Sequence, residues 1–154
     1  MIGLDTNVLA RYFVQSNDEP SRQQSESARQ LLESGKRLFV SKTVLLELEW
    51  VLRGYYKSAP DEVQAVMNHL LGMPNVDIED RVALDLANAA LAQGFDFADA
   101  LHHASCRHCT SMVTFDDKRF ARRAHTAGWN PQVKVLGGDR LKPPPDCKPW
   151  LKKA

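Results

Sequence analysis

The sequence predicts an α/β fold with a mainly parallel sheet, and three observations carry that expectation. Short apolar runs alternate with longer amphipathic segments along the chain, which is the pattern of βα units. Glycine or proline closes most of the amphipathic segments, as helix C-termini favour. Asp5 and Asp116 each follow directly on an apolar run, and in parallel sheets ligand sites form at the carboxyl ends of strands.

Taken in order, residues 1–4 (MIGL) read as a strand that carries Asp5 at its end. A short helix is expected over 7–14. A largely exposed one follows over 19–34, with Ala28, Leu31 and Leu32 on one side and Gly35 as its stop. Residues 37–40 (RLFV) give a second strand, and Ser41 is a good N-cap for a helix over 42–56. In that helix Val44, Leu48, Val51 and Tyr55 recur at three- and four-residue steps and are expected to form the buried stripe. A further helix runs from about 60 to 71, ended by Gly72 and Pro74, and VDI (76–78) is a short strand. Residues 80–93 form a helix closed by Gly94, and 95–109 another that begins near Phe97. SMVTF (111–115) is a strand ending at Asp116, 117–128 a basic helix stopped by Gly128, and VKVL (133–136) the last strand. Residues 1–136 therefore read as one domain, and 137–154, rich in Pro and Lys, as an extended or partly disordered tail.

Composition narrows the function. The chain has 154 residues, 44% of them hydrophobic and 25% charged, enough for a core without disulfides. No stretch approaches the ~20 apolar residues of a membrane span, and MIGLDTNVLA does not resemble a signal peptide. Three cysteines argue against a disulfide framework, so a reducing cytoplasm is expected. With 20 Lys+Arg against 19 Asp+Glu, the net charge is +1. Nucleic-acid binding must then come from a local patch.

Four carboxylates stand out, each with a plainer alternative. Asp5 in LDTNVLAR either caps the next helix or serves a site, with Thr6 and Asn7 in reach to orient it. Glu47 falls about 70° from the centre of the expected stripe, so it borders the core, whereas Glu49 faces solvent. The alternative for Glu47 is an ion pair with Arg53 or Lys57. Asp99 lies in the first turn of its helix beside Phe97 and Leu101, where the helix dipole favours an acid. Asp96 before it suits the N-cap. Asp116 in MVTFDDKRF ends a strand, with Asp117 as its solvated neighbour.

DTNVL, LLELEWVLR, FADALHHA and VTFDDKRF together resemble the PIN domain in order and spacing, over roughly residues 1–136. Within that family they resemble the VapC-like toxins of bacterial toxin–antitoxin pairs. The resemblance implies a three-layer α/β/α fold around a mainly parallel sheet. It also implies an endoribonuclease in which Asp5, Glu47, Asp99 and Asp116 form an acidic cluster, supported by Asn7 and Thr114. Asp96 and Asp117 adjoin matched positions and remain alternatives. A homodimer and an inhibitory antitoxin protein are implied as partners, and PIN nucleases leave 5′-phosphate and 3′-hydroxyl ends.

The chemistry suits these residue types. Phosphodiester hydrolysis needs an activated water and a neutralised phosphate. Mg²⁺ or Mn²⁺ provides both, and such hard cations prefer carboxylate oxygen. The RNA backbone needs cations, and Lys118, Arg119, Arg122 and Arg123 cluster directly after Asp116. Trp50, Leu52 and Tyr56 fall off the expected stripe of the 42–56 helix and offer a second apolar surface for a partner. A zinc site from His102, His103, Cys106, His108 and Cys109 is set aside, because all five crowd one expected helix whereas structural zinc uses separated ligand pairs. A phosphatase with Asp5 as nucleophile is disfavoured because position 7 is Asn, not a second acid. A catalytically silent interaction module is the remaining rival.

Overall fold

The structure, a computed structural model, describes residues 1–137. Beyond Gly137 the expected Pro/Lys-rich tail lies outside the described residues. In chain order the elements are β1 (Ile2–Gly3), α1 (Thr6–Phe13), α2 (Glu19–Leu32), β2 (Leu38–Val40) and α3 (Lys42–Trp50). A π-helical turn (Val51–Tyr55) continues α3, followed by α4 (Pro60–Gly72), β3 (Val76–Ile78), α5 (Arg81–Ala92) and α6 (Phe97–Ser105). Last come β4 (Ser111–Thr114), a second π-helical turn (Asp117–Ala121), α7 (Arg122–Thr126) and β5 (Gln132–Val135). The chain divides into two compact units, Met1–Arg107 and the part from His108 onward.

In the first unit β1, β2 and β3 form a parallel sheet with β2 in the middle. Ile2 pairs with Leu38, and Leu38 with Val76. Leu38 and Val40 of β2 are fully buried beneath the helices, as a central parallel strand requires. Helices α1 and α2 pack together, α5 packs on α4 and α6, and α3 packs against both α1 and α6. Leu9, Leu45, Leu48, Met67, Leu84 and Phe97 fill the core between them. In the second unit β4 and β5 pair in parallel, Ser111 opposite Gln132 through Thr114 opposite Val135. Phe120, Ala121 and Ala124 are buried there, and Phe120 meets Trp129 edge-on at 5.9 Å. No helix of the described residues is long and apolar enough to cross a membrane.

The expected helices and strands are present, most within a residue or two of the expected bounds. Helix starts follow their caps: Asp18, Ser41, Asp80 and Asp96 each accept a hydrogen bond from the backbone three residues on. Gly35, Gly94 and Gly128 end helical segments with φ between 69° and 81°, a conformation that glycine adopts without steric cost.

Three expectations need correction. The basic 117–128 segment is not one helix but a π-helical turn (Asp117–Ala121), closed by the Ala121 N–H on the Asp116 carbonyl, followed by the short α7. The 42–56 segment is not one α-helix, because Tyr56 N–H bonds back five residues to the Val51 carbonyl. That wider turn shifts the phase of everything after Trp50. The buried stripe is Leu45, Leu48, Glu49 and Leu52, not Val44, Leu48, Val51 and Tyr55. Three leucines at three- and four-residue steps hold the core face, Val44 and Val51 are half-buried, and Tyr55 is 77% exposed. Leu52 therefore belongs to the core and not to a second surface. The 95–109 segment likewise ends at Ser105, where the Cys106 N–H closes onto the His102 and His103 carbonyls. His108 and Cys109 thus lie beyond the helix that carries His102 and His103.

Candidate active site

Asp5 holds the N-cap position of α1 with an extended backbone, and its carbonyl accepts from Val8 and Leu9. Its carboxylate makes no capping hydrogen bond. Asp5 is exposed, so the helix start does not consume this acid. Its neighbour Thr6 is buried, at 3% exposure, and donates its hydroxyl to Glu47 Oε2 at 2.7 Å. A buried hydroxyl needs such a partner. The bond ties α1 to α3 and holds the Glu47 carboxylate one residue from Asp5. Thr6 therefore orients Glu47 and not Asp5. Asn7 is exposed and lines an open groove of about 810 Å³ between α1 and α2, together with Arg11, Gln24 and Ser27.

The two glutamates of α3 reverse their expected environments. Glu47 is exposed and Glu49 is buried at 6% exposure. Arg53 pairs with Glu49 at 3.2 Å, so the ion pair considered for Glu47 forms on the other acid. Burial pushes the Glu49 carboxyl above the ordinary range; Arg53 opposes the shift and the Asp96 charge adds to it. That Asp96 acts on Glu49 also shows how α6 approaches α3. Asp96 caps α6 as expected, accepting from the Asp99 N–H at 3.1 Å. Asp99 is half-buried in the first turn, with Phe97 and Leu101 buried on either side of it in sequence. Asp5, Glu47 and Asp99 are thus carried by three elements whose middle member, α3, packs on the other two.

Asp116 belongs to the second unit. Its Oδ1 accepts from the Arg119 N–H at 2.8 Å, its own N–H donates to Thr114 Oγ1 at 3.0 Å, and its carbonyl accepts from Ala121. Thr114 therefore fixes the backbone at Asp116, and the π-helical turn closes around it. Asp117 takes the guanidinium of Arg122 through both carboxylate oxygens. The Arg122 pairing holds the Asp117 carboxyl below its ordinary range. Lys118, Arg119 and Arg123 are exposed. Arg122 is already partnered, which leaves the expected basic edge narrower than the sequence suggests.

Sequence reasoning missed three features. The bond from Thr6 to Glu47 was missed although Thr6 lay in view within DTN. The burial of Glu49 was hidden by the wrong phase of α3. Asp80 is a hub that caps α5 through Ala83 N–H and also pairs with Arg107 at 2.8 Å and Lys42 at 3.4 Å. Its signal was only its place before a helical run.

Among the described residues no group of three or more His, Cys, Asp or Glu side chains is gathered closely enough to hold a metal ion outright. Asp5, Glu47 and Asp99 each offer carboxylate oxygen, the donor type that hard divalent cations prefer.

A parallel α/β chain that brings acids to a strand end and to adjacent helices defines a class of proteins suited to hard cations and phosphate esters. Within that class the PIN domain family matches residues 2–126, and the chain belongs to it. The fold is accordingly PIN-like α/β/α with parallel strands, and PIN domains are generally nucleases. No curated protein and no solved structure matches the chain at a significant level.

Proposed function

We propose that this protein is a metal-dependent endoribonuclease that hydrolyses RNA phosphodiester bonds with an activated water, and that it is the toxin of a toxin–antitoxin pair. The observation that carries the reading is the Thr6–Glu47 bond beside an Asp5 carboxylate that does not cap its own helix. In a PIN domain, an acid left exposed at a helix start and a second acid tethered next to it fit a site better than a cap. Asp5, Glu47, Asp99 and Asp116 are the acids assigned to hold Mg²⁺ or Mn²⁺, partly through water. When bound, such an ion lowers the pKa of water and neutralises phosphate charge. Thr6 and Thr114 keep Glu47 and Asp116 oriented, and Asn7 borders the groove beside Asp5. Lys118 and Arg119 bind the RNA backbone, with Arg123 beside them and Arg122 engaged by Asp117.

The partners follow the same reading. Trp50 and Tyr55 are 70% and 77% exposed, and such an apolar surface fits a second copy of the chain or an antitoxin. The acidic face invites an antitoxin Arg or Lys. The alternative, a catalytically silent interaction module, draws on the lack of three gathered ligands among the described residues. A cleavage assay on single-stranded RNA with Mg²⁺ or Mn²⁺, against the same reaction in EDTA, separates the two. Metal-dependent cleavage is expected, and binding to a partner protein with no cleavage favours the alternative.

A further inference from the structure

Asp117 and Arg122 are five residues apart, and an ordinary α-helix would set them about 140° apart around its axis. The π-helical turn removes that separation. The Arg122 N–H bonds the Asp117 carbonyl and the Ala121 N–H bonds the Asp116 carbonyl, so Arg122 stands one wide turn beyond Asp117. The side chains then meet along one edge of the guanidinium. Arg122 Nε donates to both Asp117 oxygens at 3.0 Å, and Nη2 donates to Oδ2 at 2.5 Å. π-Helical turns are rare and recur at functional sites. Stability does not account for this one's ion pair, because its side chains are 68% and 40% exposed and exposed pairs contribute little. The edge that Asp117 occupies is also the edge a phosphodiester takes with its two non-bridging oxygens, since guanidinium binds carboxylate and phosphate in the same two-pronged way. Lys118 and Arg119, both exposed, belong to the same turn.

Resting on the nuclease reading, we propose that Asp117 is an internal stand-in for an RNA phosphate, holding the Arg122 fork until a phosphodiester displaces it. Arg122 is then a backbone ligand whose affinity Asp117 restrains. RNA already held by Lys118 and Arg119 presents its next phosphates at high local concentration, which lets them compete with a tethered carboxylate. The exchange needs side-chain rotation alone, because the backbone bonds that close the turn do not use the Asp117 carboxylate. An exposed pair of this kind lowers RNA affinity by up to about fivefold.

The test is a double-mutant cycle on the full chain with a fluorescein-labelled RNA of mixed sequence. Binding is read by anisotropy in EDTA at ~0.15 M salt, where distant charges are screened beyond about 8 Å, and cleavage is read separately with Mn²⁺. Asp117→Asn removes the competitor and Arg122→Ala the fork, both at exposed positions, and circular dichroism checks that each variant folds. Asp117→Asn is expected to tighten binding about fivefold more when Arg122 is present than in an Arg122→Ala background. Arg122→Ala is expected to weaken binding most in the Asp117→Asn background. Equal gains from Asp117→Asn with and without Arg122 would show a plain loss of negative charge, and would overturn the exchange while leaving the nuclease reading standing. No gain from Asp117→Asn in a protein that binds RNA overturns it as well. The expected coupling, with no cleavage by the native protein, supports the exchange and removes the nuclease. Failure of the native protein and of Asp117→Asn to bind the RNA at all overturns both.

Discussion

Thr6 shows how much one hydroxyl decides. It is buried, it bonds Glu47, and it adjoins Asp5. Thr6→Val keeps the volume and removes the donor. Stability should fall by about 1 kcal/mol. Metal-supported cleavage should fall by roughly 10- to 100-fold, the usual cost of losing a group that orients a ligand. Thr6→Ser should recover most of it, and cleavage by Thr6→Val at the native rate would show that Glu47 needs no tether. Glu49 gives a pH signature. Its carboxyl is raised above 4.5 by burial, so the folded state holds this proton more tightly than the unfolded chain. The associated stability is present below pH 4.5 and is lost as pH rises through the folded value. Glu49→Gln should therefore gain on the native protein in melting temperature as pH rises from 4.5 toward neutrality. A constant difference across that range would mean that Arg53 fully compensates the burial. At this scale the sequence was partly readable. DTN and the cap at Asp96 were visible, whereas Glu47 and Glu49 exchanged environments because the phase of a nine-residue helix followed by a π-helical turn cannot be read from hydrophobic spacing alone.

Elements were the most legible level. Caps and glycine stops are local chemistry, so Ser41, Gly35, Gly94 and Gly128 mark boundaries without knowledge of the fold. The π-helical turns were not legible. They arise where five-residue closure satisfies the backbone, at Tyr56 onto Val51 and Ala121 onto Asp116, and no residue type marks them. Long-range ties were invisible for the same reason: Asp80 finds Arg107 and Lys42 only once α3, α5 and α6 are packed. Ser41→Ala removes one cap and should cost about 1 kcal/mol. Asp80→Ala removes a cap and strands two cations that are each about 70% covered, and should cost about 2 kcal/mol or more. The Asp80 carboxyl is held below its ordinary value chiefly by Arg107. Its contribution is present above the ordinary range and is lost as pH falls through the folded value. The gap between Asp80→Ala and the native protein in urea denaturation should narrow in acid. Equal costs for the two substitutions would mean that the Arg107 and Lys42 pairs contribute nothing.

For the whole molecule, charge sets what RNA binding can look like. A net charge of +1 gives no general attraction for RNA, so a local set of cations must carry the salt dependence. Replacing Lys118 and Arg119 together with Ala should flatten the slope of log Kd against log salt by about 1.4, near 0.7 for each lost single-strand contact. An unchanged slope returns that segment to an ordinary solvated face. The α/β class and the parallel pairing of strands were readable from alternation alone, whereas the strand order and the division into a three-stranded and a two-stranded sheet were not. The acids' shared purpose was not, because carboxylates far apart in sequence carry no mutual signal until a family pattern or a fold joins them. The most direct test of the account is cleavage of single-stranded RNA by the native protein and by Asp5→Asn, each with Mg²⁺, with Mn²⁺ and in EDTA. Asp5→Asn keeps the shape at an exposed position and removes one charge from the acidic set. The account predicts metal-dependent cleavage by the native protein, none in EDTA, and none by a folded Asp5→Asn. Full cleavage by Asp5→Asn, or cleavage that persists in EDTA, would contradict it.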